Sequence, residues 1–263
     1  MRSTNLQPKD IQLNDEIIED LKQNPIESYG EVYHPIPFKE FSGLKISADV
    51  KTANRKLGLI LDIFGKNGNF ENAMLLDIGA NAGLYAYEFA KRGTQVDAVE
   101  PDKRYFEIGR KISWNYDLPV HWFDKTISLE FLNGKKYDVC LMLSVFQWVT
   151  NGNDKLEYGK LILRRISECT DVLFFELGCN SGKSSINIPP DVHPYLWIKE
   201  LLQHSTIYDY IHLLGITKPW GKHSTRYLFV CSKKSLNLNM QAMFISFFYD
   251  FWSLLWNSLK EIL

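Results

Sequence analysis

The apolar positions fall into two rhythms, a helical one at each end of the chain and a strand–helix alternation between. Residues 9–23 set Ile11, Leu13, Ile17, Ile18 and Leu21 among acidic neighbours, which predicts a short amphipathic helix. Residues 25–48 carry Pro25, Gly30, Pro35, Pro37 and Gly43 and read as loop with short extended pieces. Residues 50–65 predict a helix burying Leu57, Leu59, Ile60, Leu61 and Phe64, with Gly65 as the residue that ends it. Short apolar runs follow at 73–78, 95–99, 119–123, 137–143, 172–177, 207–214 and 226–232. Helical segments fall at 83–92, from Asp102 to about Asn115, at 155–167 and at 194–204. Strands alternating with helices predict an α/β fold, a doubly wound and mostly parallel seven-stranded sheet with helices on both faces. Ligands of such sheets sit at the carboxyl ends of the strands.

Composition narrows the class. The chain has 263 residues, 45% hydrophobic and 23% charged, with 30 basic and 31 acidic side chains. That apolar share excludes a disordered chain, and the balanced charge disfavours a nucleic-acid partner held by overall charge. Cys140, Cys169, Cys179 and Cys231 form no C-x-x-C pair and no zinc-like spacing, so buried reduced thiols are expected. The first twenty residues contain no apolar core of a secretory leader. No apolar run reaches the roughly 18 residues of a spanning helix. A cytoplasmic protein, with peripheral membrane contact left open, is the expectation.

The most informative segment is LLDIGANAGLYAYEFAKRG, residues 75–93. A strand ends at Asp77-Ile78, and Gly79-Ala80-Asn81-Ala82-Gly83 turns tightly into a helix. Glycine permits positive φ and close approach of a ligand, and Asn81 tolerates a left-handed conformation better than most residues. A dinucleotide fingerprint fails, because Asn81 and Leu84 occupy glycine positions of G-x-G-x-x-G. Glu100 ends the second strand, where a carboxylate can accept hydrogen bonds from both ribose hydroxyls, and Pro101 and Asp102 follow it. An acidic residue, G-x-N-x-G and a strand-final Glu together resemble the class I S-adenosylmethionine-dependent methyltransferases.

The resemblance covers about residues 50–234. It implies a Rossmann-like fold with S-adenosyl-L-methionine as cofactor and S-adenosyl-L-homocysteine as product. It assigns Asp77, Gly79, Asn81, Gly83, Glu100, Pro101 and Asp102 to the cofactor site. Asp124, after the third strand, would meet the adenine amine; its other reading is the N-cap of a short helix. Ser144 and Phe146, after the fourth strand, would lie beside the cofactor, or Phe146 and Trp148 would be packing groups. Ser144-Val145-Phe146, Phe175-Glu176-Leu177-Gly178 and Arg226-Tyr227 are similar to glycan and O-antigen chain-terminating methyltransferases. More distantly they are similar to transferases that modify wobble uridine in tRNA.

Methyl transfer to a hydroxyl requires a positioned acceptor and removal of a proton. Glu176, the only acid in the apolar run VLFFELG, and His223, in a loop with Lys218, Lys222 and Arg226, are the candidate bases. Glu176 has a second reading as partner of Arg226, and His223 as a solvated loop residue. Arg226 would bind an acidic or phosphorylated acceptor. His34 and His193 sit in Pro-flanked loops that could border an acceptor site, and no metal site is expected. The function expected is O-methylation of a sugar or glycan hydroxyl. A tRNA uridine, a small metabolite and a non-catalytic assembly module with a vestigial pocket are the rivals.

The tail separates from this core. Seven of the thirteen residues from Phe244 to Trp256 are aromatic, and Ser246, Asp250, Ser253, Asn257 and Lys260 form a narrow polar stripe. An amphipathic C-terminal helix over 239–263 is predicted, docking on its own domain, on a partner protein or second subunit, or in a membrane interface. The expected organisation is therefore an N-terminal extension, 1–49, a cofactor-binding domain, 50–234, and an aromatic helix, 235–263.

Overall fold

The computed structural model describes residues 6–180, 185–218 and 225–262, with side chains described up to residue 252. The chain forms two compact units, residues 1–127 and 128–263. The strand order is β3-β2-β1 in the first unit and β4-β5-β7-β6 in the second.

In the first unit, helix α1 spans Ile11–Gln23 and α2 spans Val50–Asn67. Strand β1 (Met74–Ile78) leads to α3 (Leu84–Ala90), β2 (Gln95–Val99) to α4 (Lys103–Asn115), and β3 (Val120–Phe123) closes the unit. β2 pairs in parallel with both β1 and β3, as a crossover helix between successive strands requires. Asp10, Asp49 and Asp102 cap α1, α2 and α4 by accepting backbone N–H groups of the first turn. α2 runs two residues past Gly65, which is an ordinary helical residue; Gly68 is the cap, with an extended backbone, and its N–H donates to Phe64. A left-handed glycine cap is thus unnecessary there.

The N-terminal extension is fastened to α4. Asn14 donates to the Tyr116 hydroxyl at 2.9 Å, and Asn115 donates to Asn14 at 2.9 Å and to the Asp10 carbonyl at 2.8 Å. Residues 25–48 are loop and short bridges, with a 3-10 turn at Lys39–Gly43. Phe38 stacks on Tyr116 with ring centres 3.8 Å apart, which ties this loop to the end of the same helix.

In the second unit, α5 (Leu129–Leu132), β4 (Tyr137–Leu143) and α6 (Phe146–Val149) precede α7 (Leu156–Cys169). Then follow β5 (Thr170–Gly178), α8 (Pro194–Ser205), β6 (Tyr210–Thr217), β7 (Arg226–Ser232) and α9 (Met240–Ile262). β4 and β5 are parallel, whereas β7 is antiparallel to both β5 and β6. The cause is legible in the connection: only eight positions separate Thr217 from Arg226, fewer than the dozen or more that a parallel crossover needs, so the chain returns in the opposite direction. The strand cores are apolar on both faces; Val139, Cys140, Leu141, Leu173, Phe174, Phe175, Phe229 and Val230 are fully buried. All four cysteines are buried and none is in a disulfide. No described helix is long and apolar enough to cross a membrane.

Candidate active site

The turn after β1 is held by left-handed backbone at three positions. Gly79, Asn81 and Gly83 have φ of +72°, +50° and +90°. Gly79 and Ala80 still donate to the Val99 carbonyl, at 2.8 and 3.3 Å, so the turn stays attached to β2 as it leaves the sheet. Asn81 supports its own strained conformation, its side-chain amide donating to the Gly79 carbonyl at 2.9 Å. At Gly83 a Cβ would lie 2.5 Å from the Tyr87 ring, and Tyr87 itself donates to the Gly109 carbonyl. Glycine is therefore demanded there by space as well as by φ.

Glu100 links this turn to the second strand. One carboxylate oxygen accepts the Asn81 N–H at 2.8 Å and the other accepts the Asp102 N–H at 2.9 Å. Asp102 in turn accepts the N–H groups of Arg104 and Tyr105. Burial pushes the Glu100 carboxyl upward, and the two backbone donors oppose that rise. Each oxygen keeps a lone pair for a further donor. Asp77 is 2% exposed, and its Oδ2 has no hydrogen-bond partner. Burial and the Glu100 charge raise its carboxyl to about 7, against a hydrogen bond from the Ala86 backbone.

This pair of carboxylates, one with an orphaned oxygen and one with spare lone pairs, fits a ligand bearing an ammonium group and vicinal hydroxyls. The donor set of S-adenosylmethionine is of that kind. Asp124 lies beyond β3 and is exposed. The N-cap of α5 is Ser128, which accepts from Phe131, so capping is not the work of Asp124. Pro101 is exposed beside Glu100.

In the second unit, β4, β5, β6 and β7 assemble a second cluster. Glu176 on β5 is fully buried. Its carboxylate accepts the Ser144 hydroxyl at 2.5 Å and the Thr217 hydroxyl at 3.4 Å, and lies 4.0 Å from the Arg226 guanidinium. The Ser144 backbone N–H donates to the Glu176 carbonyl at 2.8 Å, and Ser144 has φ of +59°. A Ser held left-handed at a strand end is strain that the surrounding bonds must maintain.

This environment bears on two residues for which the sequence left alternatives open. Glu176 has no accessible surface and both its oxygens are engaged, the arrangement of its second reading as a partner of Arg226. Phe146 is likewise 0% exposed, packed edge-on against Phe175 with ring centres 5.6 Å apart. Its ring is a core group; Trp148, 67% exposed, is not. His193 caps α8, accepting from the Tyr195 N–H at 3.2 Å, and burial lowers its pKa. His34 packs edge-on against Tyr85, with ring centres 5.8 Å apart, in the first unit. His223 and Lys222 lie outside the described residues. Thr217 was not anticipated; it pairs in register with Arg226, a neighbour visible only once β6 is laid beside β7.

Comparison with known proteins agrees with this geometry. No family model matches the chain. The ubiquinone biosynthesis O-methyltransferase of Rickettsia typhi is 34% identical over 77 residues, covering 29% of this chain and 31% of that protein. The bifunctional kinase-methyltransferase WbdD superposes with a TM-score of 0.64 at 18% identity, over 82% of this chain and 46% of WbdD. The N-terminal domain of EvdMO1, solved in the presence of SAH and D-fucose, superposes with a TM-score of 0.54 at 12% identity, over 84% of this chain and 97% of that domain. The chain thus spans about a third of the curated relative and about half of WbdD. Its fold is the one that WbdD and the EvdMO1 domain share.

Proposed function

We propose that the chain is an S-adenosylmethionine-dependent methyltransferase that O-methylates a hydroxyl of a sugar or glycan intermediate. The observation that carries the cofactor is the buried Asp77–Glu100 pair joined to a left-handed glycine turn, with Asp77 Oδ2 unpartnered. The sugar acceptor rests on the likeness to WbdD and to the EvdMO1 domain solved with D-fucose.

When bound, the cofactor supplies an electrophilic methyl group on a sulfonium. Asp77 would hold the ammonium group, and its ionised form is favoured by that charge. Glu100 would accept the ribose hydroxyls while its backbone bonds keep the turn in place, and Asp102 holds the start of α4 beside it. Gly79, Asn81 and Gly83 give the turn close approach. Asp124 is assigned to the adenine edge. Ser144, fixed by Glu176, presents its backbone after β4, and Phe146 fixes that segment by packing. Arg226 would orient the acceptor and His223 would take its proton.

The test is calorimetric titration with S-adenosylmethionine, followed by transfer of a radiolabelled methyl group to D-fucose and to neutral oligosaccharides. Binding together with base-stable incorporation into sugar is the expected result. Absence of binding overturns the enzyme. Binding with transfer only to hydroxyls of small non-sugar metabolites would replace the sugar with a small metabolite, the reading in line with the likeness to the ubiquinone biosynthesis O-methyltransferase.

A further inference from the structure

The C-terminal helix divides into two unlike faces. On one, Ala242 and Ser246 are buried, and Asp250 accepts from the Tyr195 hydroxyl and the Lys199 ammonium. Trp252 meets the His193 ring at 5.0 Å, and Tyr249 meets the Tyr195 ring at 5.1 Å. This face docks α9 on its own unit. It also uses Asp250, the only charged residue between 240 and 259.

The other face is uncovered. Met240, Met243, Phe244, Phe247, Phe248 and Phe251 are each more than half exposed, Phe247 by 71%. They follow helical spacing and form one stripe, and the Phe247 and Phe251 rings lie stacked, 6.4 Å apart. Six such side chains leave on the order of 700 Å² of apolar surface in water. A monomer rarely exposes more than a few hundred Å² in one patch. A stable interface needs about 800 Å² from each partner.

We infer that this face of α9 pairs with the same face of a second copy of the chain, about a two-fold axis. Its area approaches what one partner of a stable dimer contributes. Its make-up is that of an interface centre, rich in Phe and Met and without charge. Pairing with itself opposes no like charges, because the stripe has none. A lipid surface is the weaker occupant: helices that lie on membranes carry Lys and Arg beside the apolar face, and none occurs between 240 and 259.

The experiment is light scattering with size-exclusion chromatography on the full chain in detergent-free buffer, over a dilution series. The expected mass is that of two chains, falling to one on dilution. Phe247→Glu combined with Phe251→Glu is expected to give one chain at every concentration, with unchanged circular dichroism. Should the charged pair misfold, Phe247→Ser with Phe251→Ser is expected to give the same loss of dimer. A wild-type mass of one chain throughout overturns the inference, as does a dimer that survives both pairs of substitutions. Co-sedimentation of a monomeric wild type with phosphatidylglycerol–phosphatidylcholine vesicles overturns it in favour of lipid. None of these readouts depends on methyl transfer.

Discussion

The Glu100 carboxylate accepts the backbone N–H of Asn81 at 2.8 Å. The acid that ends β2 is thereby bonded to the turn that ends β1, and a residue able to hold a ribose also holds the loop that approaches it. Removing the acid should act on both. Glu100→Ala is expected to weaken S-adenosylmethionine binding by about 100-fold or more, the loss of two charge-assisted bonds. Glu100→Gln, which can accept only one of the two backbone donors, should fall between. Calorimetric dissociation constants for the three proteins check the order.

Asp77 carries a pH dependence of definite sign. Its carboxyl titrates at about 7 in the folded chain against 3.8 as the ordinary value. The folded protein therefore keeps a proton that the unfolded chain has lost, and this group's contribution to stability declines as pH rises from about 4 to about 7. Asp77→Asn should stabilise the ligand-free protein at pH 8 by roughly 2 kcal/mol and weaken cofactor binding at least tenfold. In the wild type, binding should tighten as pH rises toward 7 and then level off. Thermal melts and titrations across pH test both halves.

Gly83→Ala should be among the most damaging single-methyl changes in the chain. The added Cβ meets the Tyr87 ring at 2.5 Å and φ is +90°. A cost of about 2–4 kcal/mol is expected in urea unfolding. Asn81→Gly keeps the left-handed backbone and should cost less than about 1 kcal/mol.

Glu176 and Arg226 should behave as a structural pair. Arg226→Ala leaves a buried carboxylate with less compensation and is expected to destabilise the fold by about 3 kcal/mol. Glu176→Gln, which retains an acceptor for Ser144, should cost less, and adding it to Arg226→Ala should recover part of the loss. A double-mutant cycle measured by chemical denaturation reads that coupling. A buried anchor predicts that Glu176→Gln leaves the acid limb of the activity–pH profile unmoved, whereas a general base would shift it.

Much of this protein is written in local pattern. Helical periodicity and short apolar runs located the described strands and long helices to within a few residues, because each element buries its own apolar positions. The turn from Asp77 to Gly83 and the acid at 100 were legible for the same reason: a left-handed backbone, a bare Cα and a strand-final carboxylate are local requirements on residue type. The aromatic density of the tail and its narrow polar stripe are likewise local features of the sequence.

Partnership required the tertiary structure. Whether Glu176 is a base or an anchor depends on Ser144, Thr217 and Arg226, which arrive from three other places in the chain and meet it only when β4, β5, β6 and β7 are in register. Whether Phe146 lines a site or fills a core depends on Phe175. Which face of α9 is covered depends on Tyr195, Lys199 and His193, residues of another helix and its cap. The sequence by itself determined the elements, the glycine turn and the acids at 77 and 100 that flank it. Burial and hydrogen-bond satisfaction are properties of neighbours distant along the chain, so only the fold could decide which polar groups are anchors and which still have a bond to offer.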